Sequence, residues 1–465
     1  MANQIEKLNA IAIASIEKFN AKTDSNIEKI NSKEFTGIVL ANQQQRSFTT
    51  VDSGGSAIGD AGEYDTNRAY GNSVAYDPDT STIIVTYGDT GNSSRCTGRV
   101  ATVSGNETDG FTLTFGSEIE IDDSGTCYHS QAFYNTGQDR LMVAYMTSSG
   151  NNGQYAKAMT VRGGTTRDLT TLGNHLSVES GGSGYNQNIN SNLGSLNQAA
   201  NSGNGILHIC YEYGDDNNDG NHIRAVRISD TSDNTTVVGD RAEFLDDADE
   251  FFGITYDETA QKNVVVYDDG TNISARTVEH GGTNDMTTTF GTAAQYGEAA
   301  SLTISEYYGG PNSAYDPDQN KHHVIMDVSG TGYINYFSVS GSSVTWAATG
   351  KKQALSSGTA SGNNTGGGVA YSHARDRIIT YGSTVSGTGA NATFESHSFD
   401  GTDYTAVGSA VTYDSRNGRP RGANVMRTDA SALIGNSVVL VHYIYGGSSD
   451  GTTLITGLDA GNSGS

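Results

Sequence analysis

The segment "SVAYDPDTSTIIVTYGD" at residues 73–89 decides the fold, because its pattern returns along the chain. Alternating apolar residues on both sides of a turn sequence predict two antiparallel strands, A and B. Four further copies are clear: "QAFYNTGQDRLMVAYMT" (131–147), "FGITYDETAQKNVVVYDDG" (252–270), "NSAYDPDQNKHHVIMDVSG" (312–330) and "GVAYSHARDRIITYGS" (368–383). Divergent copies at 196–215 and 422–446 make seven hairpins, at intervals of about 55 to 67 residues. This period suits the four-stranded blades of a propeller.

A third predicted strand, C, follows every hairpin, as in "RVATVSG" at 99–105. A fourth, D, follows six of the seven and carries a recurring glycine: Gly116, Gly173, Gly239, Gly291, Gly350 and Gly408. The missing seventh strand is assigned to "SFTTVDSGGSAI" at 47–58, which we expect to pair with strand C of the last blade near residues 454–458. Such pairing closes a ring and removes its exposed edges.

The predicted fold is therefore all-β, a seven-bladed β-propeller of four-stranded antiparallel blades over residues 37–465, preceded by a short α-helical segment at 1–36. The A–B turns are rich in aspartate, a residue whose side chain caps turns. We expect this turn-capping role for Asp77, Asp79, Asp316 and Asp318.

The N-terminal segment repeats Ile-Glu-Lys-x-Asn every eleven residues. Eleven residues make three α-helical turns, so the repeat predicts a helix with one apolar stripe. The stripe contains Ile5, Leu8, Ile16, Phe19, Ile27 and Ile30. Because a lone helix of this size is marginal in water, residues 1–36 are interpreted as an anchor or oligomerisation segment. The alternative is a solvated helix, or short helical turns broken at Asn9, Asn20 and Asn31.

The composition excludes several classes of protein. A formal net charge of −25 disfavours nucleic acid and anionic lipid. No segment has the length of a membrane span or the pattern of a signal peptide, which predicts synthesis in the cytoplasm without a signal peptide. The three cysteines show no metal-ligand spacing and are expected to be reduced.

The sequence contains one candidate metal loop. Asp215, Asn217 and Asp219 precede Gly220 in the order of a calcium loop, but the closing glutamate is absent and Val226 stands in its place. Turn chemistry between two strands is favoured, with calcium as the alternative and no other cofactor expected.

No catalytic constellation emerges from the sequence. The carboxylates are scattered, familiar hydrolase motifs are absent, and His322 and His323 should face opposite ways in their strand. The interpretation is that the chain is not an enzyme, although carboxylate pairing cannot be read from sequence.

The "IEKxN" opening and the "VAYDPDT…IIVTYGD…GRVATVSG…FTLTFGSEIEI" units resemble tail-fibre and related virion proteins of marine bacteriophages over nearly the whole chain. The resemblance implies a virion appendage, and three functions are weighed. The first is a tail fibre or tail-attached adhesin that contacts a host-surface glycan or protein. The second is a purely structural part of the tail or capsid, and the third is a glycan-cleaving enzyme. The expected partners are other virion proteins through residues 1–36, together with further copies of the chain in a homo-oligomer.

Overall fold

A computed structural model of the chain describes residues 7–8, 11–12, 18–19, 22–23, 29–30, 33–34, 62–65, 69–77, 80, 82–106, 110–135, 140–147, 154–161, 169–179, 206–213, 220–228, 236–246, 252–257, 259–269, 271–281, 286–302, 313–355, 368–372, 376–383, 392–407, 410–414, 418–425, 439–445 and 452–457. The contacts divide the chain into two units, one of residues 1–47 with 462–465 and one of residues 48–461.

The larger unit begins with three antiparallel sheets. Sheet 1 contains β8 (Ala69–Asp77), β9 (Thr82–Asp89), β10 (Arg95–Asn106), β11 (Gly110–Phe115) and β12 (Ile119–Asp122). Sheet 2 contains β13 (Cys127–Asn135), β14 (Arg140–Thr147), β15 (Gln154–Val161) and β16 (Leu169–Glu179). Sheet 3 contains β17 (Ile206–Tyr213), β18 (Gly220–Ile228), β19 (Thr236–Val238) and β20 (Ala242–Leu245).

Four more sheets follow. Sheet 4 contains β21 (Phe252–Asp257), β22 (Lys262–Asp268), β23 (Ile273–His280), β24 (Thr288–Phe290) and β25 (Ala294–Gln295). Sheet 5 contains β26 (Ser301–Leu302), β27 (Ser313–Asp316), β28 (Lys321–Val328), β29 (Thr331–Ser340), β30 (Ser343–Trp346) and β31 (Gln353–Ala354). Sheet 6 contains β32 (Gly368–Ser372), β33 (Arg377–Ser383), β34 (Ala392–Phe399), β35 (Tyr404–Ala406) and β36 (Val411–Asp414). Sheet 7 contains β37 (Gly418–Val425), β38 (Val439–Tyr445), β39 (Thr452–Gly457) and β7 (Gly62–Asp65).

The strands of sheets 1 to 6 come from consecutive parts of the chain, and sheet 7 combines three consecutive strands with β7 from the N-terminal part; every pairing in these seven sheets is antiparallel. The all-β class predicted from the repeat is therefore confirmed among the described residues. The C strands lie where the sequence placed them, and so do the A–B hairpins of sheets 1, 2, 4, 5, 6 and 7; in sheet 3 only strand B, β17, is among the described residues. The outer strand is split in two in sheets 1, 3, 4, 5 and 6, and both pieces pair with strand C.

Strand B supplies much of the core, as β9 in sheet 1 and β22 in sheet 4 show. Every residue of β9 is buried, and only the first residue of β22 is not. A strand buried at consecutive positions is covered on both faces, which requires a neighbouring sheet on each side. Between sheets 4 and 5, for example, Val264 and Val266 pack with Val324, Met326 and Phe337.

Neighbouring sheets contact one another in sequence order. Sheet 1 contacts sheet 2 through β8 and β13, and the side chain of Arg224 in sheet 3 donates to the carbonyl of Val178 in sheet 2 at 2.6 Å. The contacts continue between β20 and β24, between β21 and β27, between β27 and β32, and between β32 and β37. Strand β37 of sheet 7 also contacts β8 of sheet 1. The last sheet therefore returns to the first.

An N-terminal strand completes the last sheet. Strand β7 pairs antiparallel with β39, with Glu63 opposite Thr453 and Gly62 opposite Leu454. Closure near residue 454 agrees with the sequence interpretation, but the described strand is 62–65. The segment chosen from the sequence, 47–58, lies outside the described residues.

The twelve described residues of the segment 1–36 do not form the predicted helix. They form three two-residue antiparallel pairs: β1 (Lys7–Leu8) with β2 (Ile11–Ala12), β3 (Lys18–Phe19) with β4 (Lys22–Thr23), and β5 (Lys29–Ile30) with β6 (Lys33–Glu34). In each copy the chain carries Asn-Ala or Asn-Ser between the two strands. Asparagine favours tight turns and interrupts helices, so the same eleven-residue period here repeats a hairpin. Among the described residues no helix is long and apolar enough to cross a membrane.

The recurring glycine of strand D allows close approach between sheets. A Cβ atom on Gly239 of sheet 3 would overlap the carbonyl oxygen of Met286 in sheet 4. A Cβ atom on Gly291 of sheet 4 would overlap the carbonyl oxygen of Ser342 in sheet 5. Gly350 of sheet 5 differs, because nothing lies within 4 Å of its Cβ position.

These two environments predict opposite outcomes for the same substitution. We expect Gly291→Ala to lower the free energy of unfolding by about 2 kcal/mol or more, because one of two backbones must move. Gly350→Ala, the matched control, should change it by less than about 0.5 kcal/mol. Urea unfolding of both variants provides the measurement, and equal effects would show that sheets 4 and 5 do not approach at Gly291.

A second pair of variants tests the closure of sheet 7. Removing residues 1–66 deletes β7, and we expect a loss of roughly 2–4 kcal/mol, since each of a few strand hydrogen bonds contributes about 1 kcal/mol. Removing residues 1–47 leaves β7 in place and should cost less than about 0.5 kcal/mol. Thermal or urea unfolding measures the difference, and two truncations of equal stability would contradict the closure.

Candidate functional site

An aspartate at the end of strand A caps the A–B turn in sheets 1, 4 and 5. Asp77 accepts from the backbone N–H of Thr80 at 3.2 Å, and Asp257 accepts from that of Ala260 at 2.7 Å. Asp316 accepts from the backbone N–H groups of residues 318 and 319 at 2.9 and 3.0 Å. The capping role predicted for Asp77 and Asp316 is confirmed, while Asp79 lies outside the described residues.

Three carboxylates converge where the A–B turns of sheets 5 and 6 meet. Asp316, Asp318 and Asp376 each place one oxygen within 4.8 Å of the others. The Tyr371 hydroxyl lies 2.6 Å from Oδ2 of Asp318 and 3.1 Å from Oδ1 of Asp376. Asp316 is buried, whereas Asp318 and Asp376 are exposed. We call Asp316, Asp318, Asp376 and Tyr371 the acidic cluster.

The electrostatics of the acidic cluster follow from like charges in a small space. The pKa of Asp376 is raised, first by loss of hydration around its carboxyl group and then by the charges of Asp316 and Asp318. Burial and the same carboxylates raise the pKa of the Tyr371 hydroxyl, which stays protonated and donates. Three carboxylate oxygens are the kind of ligand set that binds hard cations. Neighbouring carboxyl groups whose environments give them different pKa values are also typical of acid–base pairs.

A buried histidine, His323, contacts Asp316 of the acidic cluster from the interior of the protein. His323 has no exposed surface; its Nε2 lies 3.4 Å from Oδ2 of Asp316, and its Nδ1 lies 2.7 Å from the Tyr404 hydroxyl of sheet 6. Burial lowers the pKa of His323 although Asp316 raises it, so the ring is neutral. Its neighbour His322 faces sheet 4 instead. The prediction that these two rings point in opposite directions is confirmed.

His322 belongs to a series of three hydrogen-bonded side chains, Thr255, His322 and Asp257, in the order hydroxyl, imidazole and carboxylate of a hydrolytic triad. Oγ1 of Thr255 lies 2.8 Å from Nδ1 of His322, and Oδ2 of Asp257 lies 3.1 Å from Nε2. All three residues have no exposed surface. A nucleophile must reach its substrate, so we interpret this series as a structural connection between sheets 4 and 5.

The other residues chosen from the sequence are distributed as follows. Asp215, Asn217 and Asp219 lie outside the described residues, in the connection between β17 and β18. Of the N-terminal stripe, Leu8, Phe19 and Ile30 each lie in a short strand, and Ile5, Ile16 and Ile27 lie outside the described residues.

Sequence reasoning missed Asp376 and Tyr371. Asp376 occupies the last position of its A–B turn with φ 49°, as Asn320 does in sheet 5 with φ 53°. Asparagine and aspartate tolerate this left-handed conformation. An alignment of the turns by this position would have brought Asp376 beside the Asp-Pro-Asp motif of sheet 5.

No family model matches this chain, and no curated protein matches it. Its structure is similar to a periplasmic gluconolactonase of Pseudomonas aeruginosa, with TM-score 0.46 and 10% identity over 74% of this chain and 86% of that one. It is also similar to the hemagglutinin-neuraminidase ectodomain of parainfluenza virus 5, with TM-score 0.41 and 8% identity over 88% and 82%. A third similar structure is the Dos1 propeller, with TM-score 0.40 and 9% identity over 87% of each chain.

These comparisons contradict the interpretation that the chain is not an enzyme, because the similar structures include a gluconolactonase and a neuraminidase. The physical reason is visible in the acidic cluster, where residues 316 and 376, far apart in sequence, meet between two sheets. Scattered carboxylates in a sequence therefore do not exclude acid–base chemistry. Identities of 8% and 10% assign no activity.

Asp376 in the acidic cluster and Asp400 in another turn of sheet 6 should respond in opposite ways to replacement by asparagine. Asp376→Asn removes like-charge repulsion while keeping an acceptor for Tyr371, so the protein should become more stable at neutral pH, by less than about 1 kcal/mol after solvent screening. Because the pKa of Asp376 is raised in the folded protein, the gain should vanish as the pH falls below about 4, where the Asp376 carboxyl group of the wild type is protonated in both the folded and the unfolded state.

Asp400 is the matched control. Its pKa is lowered by the backbone N–H groups of residues 403 and 402, so Asp400→Asn should lower the melting temperature at neutral pH. Melting curves at low and high salt check both variants. A melting temperature that falls in Asp376→Asn would show that the three carboxylates do not repel one another.

Proposed function

We propose that the seven sheets are the seven blades of one β-propeller that spans residues 37–465. Three observations support this arrangement: each sheet has four to six strands, consecutive sheets are in contact, and sheet 7 contacts sheet 1. The pairing of β7 with β39 supplies the closing strand that a propeller ring needs.

We propose that the protein is a bacteriophage virion component, a tail fibre or tail-attached adhesin that contacts the host surface through this propeller. The observation that carries the proposal is the repeated strand pair of residues 1–36, which belongs to a unit separate from the sheets. Two-residue pairs bury too little surface to be stable alone. The segment therefore needs partners, and copies of this chain or other virion proteins supply them.

The surface proposed for contact is formed by the connections between strands B and C. In sheet 1 this connection is ordered by its own side chains: Asp89 accepts from the N–H of residue 91 at 2.7 Å, and Glu120 binds both Asn92 and Arg95, at 3.0 and 2.7 Å. Ser93 is exposed at its tip. Neutral hydroxyl and amide groups on a pre-organised turn suit sugar hydroxyls or a polar protein face.

The B–C connections differ in length, and some are tight turns. In sheet 5 only Ser329 and Gly330 join β28 to β29, both at positive φ, and in sheet 4 Asp269 closes a short turn onto residues 271 and 272. Tight turns offer little surface for recognition. They favour the second candidate function, a purely structural part of the tail or capsid.

Replacing residues 90–94 by Gly and Ser separates the two candidates. The exchange leaves Asp89, Arg95 and buried Cys96 in place, and the matched control replaces residues 401–403, in a turn between strands C and D of sheet 6. For the adhesin, adsorption to host cells should fall at least about tenfold, equivalent to 1.4 kcal/mol, only in the first variant. Virion assembly should be normal in both.

Unchanged adsorption in the 90–94 variant would remove this surface from the proposal and favour the structural function. The same samples can be incubated with host polysaccharide. Release of reducing ends by the wild type, lost in Asp376→Asn, would replace adhesion with glycan cleavage.

A further inference from the structure

The seams between neighbouring sheets are joined by two kinds of polar contact. Between sheets 1 and 2, Oγ of Ser130 donates to Oγ1 of Thr86 at 3.1 Å, and Oγ of Ser73 accepts from the N–H of Ala132 at 3.0 Å. Hydroxyl and amide groups do not titrate near neutral pH. The seams between sheets 3 and 4 and between sheets 4 and 5 contain imidazoles instead.

The seam between sheets 3 and 4 contains His208 of β17. This residue is 1% exposed, and its Nδ1 lies 2.5 Å from Nδ2 of Asn263 in β22. Its Nε2 is buried without a hydrogen-bond partner. The titratable group that faces it is His280 of β23, with a ring-centre separation of 5.6 Å.

The seam between sheets 4 and 5 contains His322 of β28, bound to Thr255 and Asp257 as described above. Asp257 of β21 is the carboxylate that faces the ring, and Tyr315 of β27 lies against it with ring centres 4.9 Å apart. Phe337 of β29 stacks on its other side at 4.7 Å, and His323 next to it in the chain adds a like charge if protonated. Both histidines thus join two sheets from positions that water does not reach.

A proton on either ring disturbs its seam. At His208 the neutral Nδ1 accepts from Nδ2 of Asn263, so a proton on Nδ1 would point at another donor. The positive charge would also lie beside the imidazole of His280. At His322 the charge would be enclosed by two aromatic rings, with one carboxylate to balance it. Opening the seam to water relieves both situations.

We propose that His208 and His322 form an acid-sensitive latch: at mildly acidic pH they take up protons, and the seams between sheets 3 and 4 and between sheets 4 and 5 open while the strands within each sheet stay paired. This inference concerns the contacts between neighbouring sheets and does not depend on what the protein binds.

The direction of the pH effect follows from comparing the pKa of each histidine in the closed seam with the ordinary pKa of imidazole. Burial, and after it the charge of His280, lowers the pKa of His208 to about 3, and burial lowers the pKa of His322 although Asp257 raises it. The closed seam therefore holds fewer protons than the open one below about pH 6.5. Its stability is complete above that pH and is lost as the pH falls, by up to about tenfold in the opening equilibrium per pH unit for each ring.

The cysteines provide a built-in reporter. Cys210 is fully buried against Ile254 and Val265 in the seam between sheets 3 and 4, while Cys96 and Cys127 are buried in the seam between sheets 1 and 2. A thiol reagent that works at acidic pH, such as dithiodipyridine, labels a buried thiol only when its seam opens. The ratio of the labelling rates cancels the pH dependence of the reagent.

For the full chain we expect the rate at Cys210, relative to Cys96 and Cys127, to rise on the order of fifteenfold from about pH 6.5 to pH 5.0, because an imidazole in the open seam is already about half protonated at pH 6.5. In His208→Asn, which keeps an acceptor for Asn263, the relative rate should be higher at neutral pH and nearly independent of pH. His175→Asn removes an imidazole with 41% side-chain exposure and should behave as the wild type.

The second seam is tested by equilibrium unfolding in urea. The free energy of unfolding of His322→Gln should depend less steeply on pH between about 6.5 and 5.0 than that of the wild type. A constant Cys210 ratio in the wild type would overturn the latch even if neither variant folds. A rise that persists in His208→Asn, or an unchanged slope in His322→Gln, would overturn it as well.

Discussion

The structure depends on one non-local pairing, that of β7 with β39. Seven sheets packed face to face in a row would leave one face of sheet 1 and one face of sheet 7 exposed to water. Because β7 comes from the beginning of the chain, the last sheet is completed only when both ends of the larger unit meet. Every seam between sheets is then supported on both sides, which is why strands such as β9 are buried throughout.

The same constraint explains the residues that look unusual for a β protein. Sheets that approach closely need glycine where a backbone passes, as at Gly239 and Gly291. They also enclose polar side chains, which must find partners in the neighbouring sheet. Thr255, Asp257 and His322 satisfy one another in this way, and so do His323, Asp316 and Tyr404. The acidic cluster lies at the surface, where the hydrogen-bonded series of Tyr404, His323 and Asp316 ends.

Much of the fold could be predicted from the sequence, since hairpins such as 73–89 carry alternation, turn residues and a capping aspartate together. The rest depended on information that local patterns lack. An eleven-residue period fits three helical turns and a repeated hairpin equally well, and only the Asn-Ala turn favours the latter. The closing strand Gly62–Asp65 has no apolar alternation to reveal it. Asp376 and the partners of His208 and His322 come from neighbouring sheets, which spacing along the chain cannot show.

Disulfide formation between engineered cysteines tests the closed ring most directly. Opposite residues in antiparallel strands have Cα atoms about 4.5–5.5 Å apart, within the range that a disulfide spans. Glu63→Cys with Thr453→Cys, an opposite pair in β7 and β39, should form an intramolecular bond on mild oxidation. Glu63→Cys with Ser383→Cys in sheet 6 should not. A Glu63→Cys, Thr453→Cys variant that stays reduced, or that links only between chains, would contradict the closed ring.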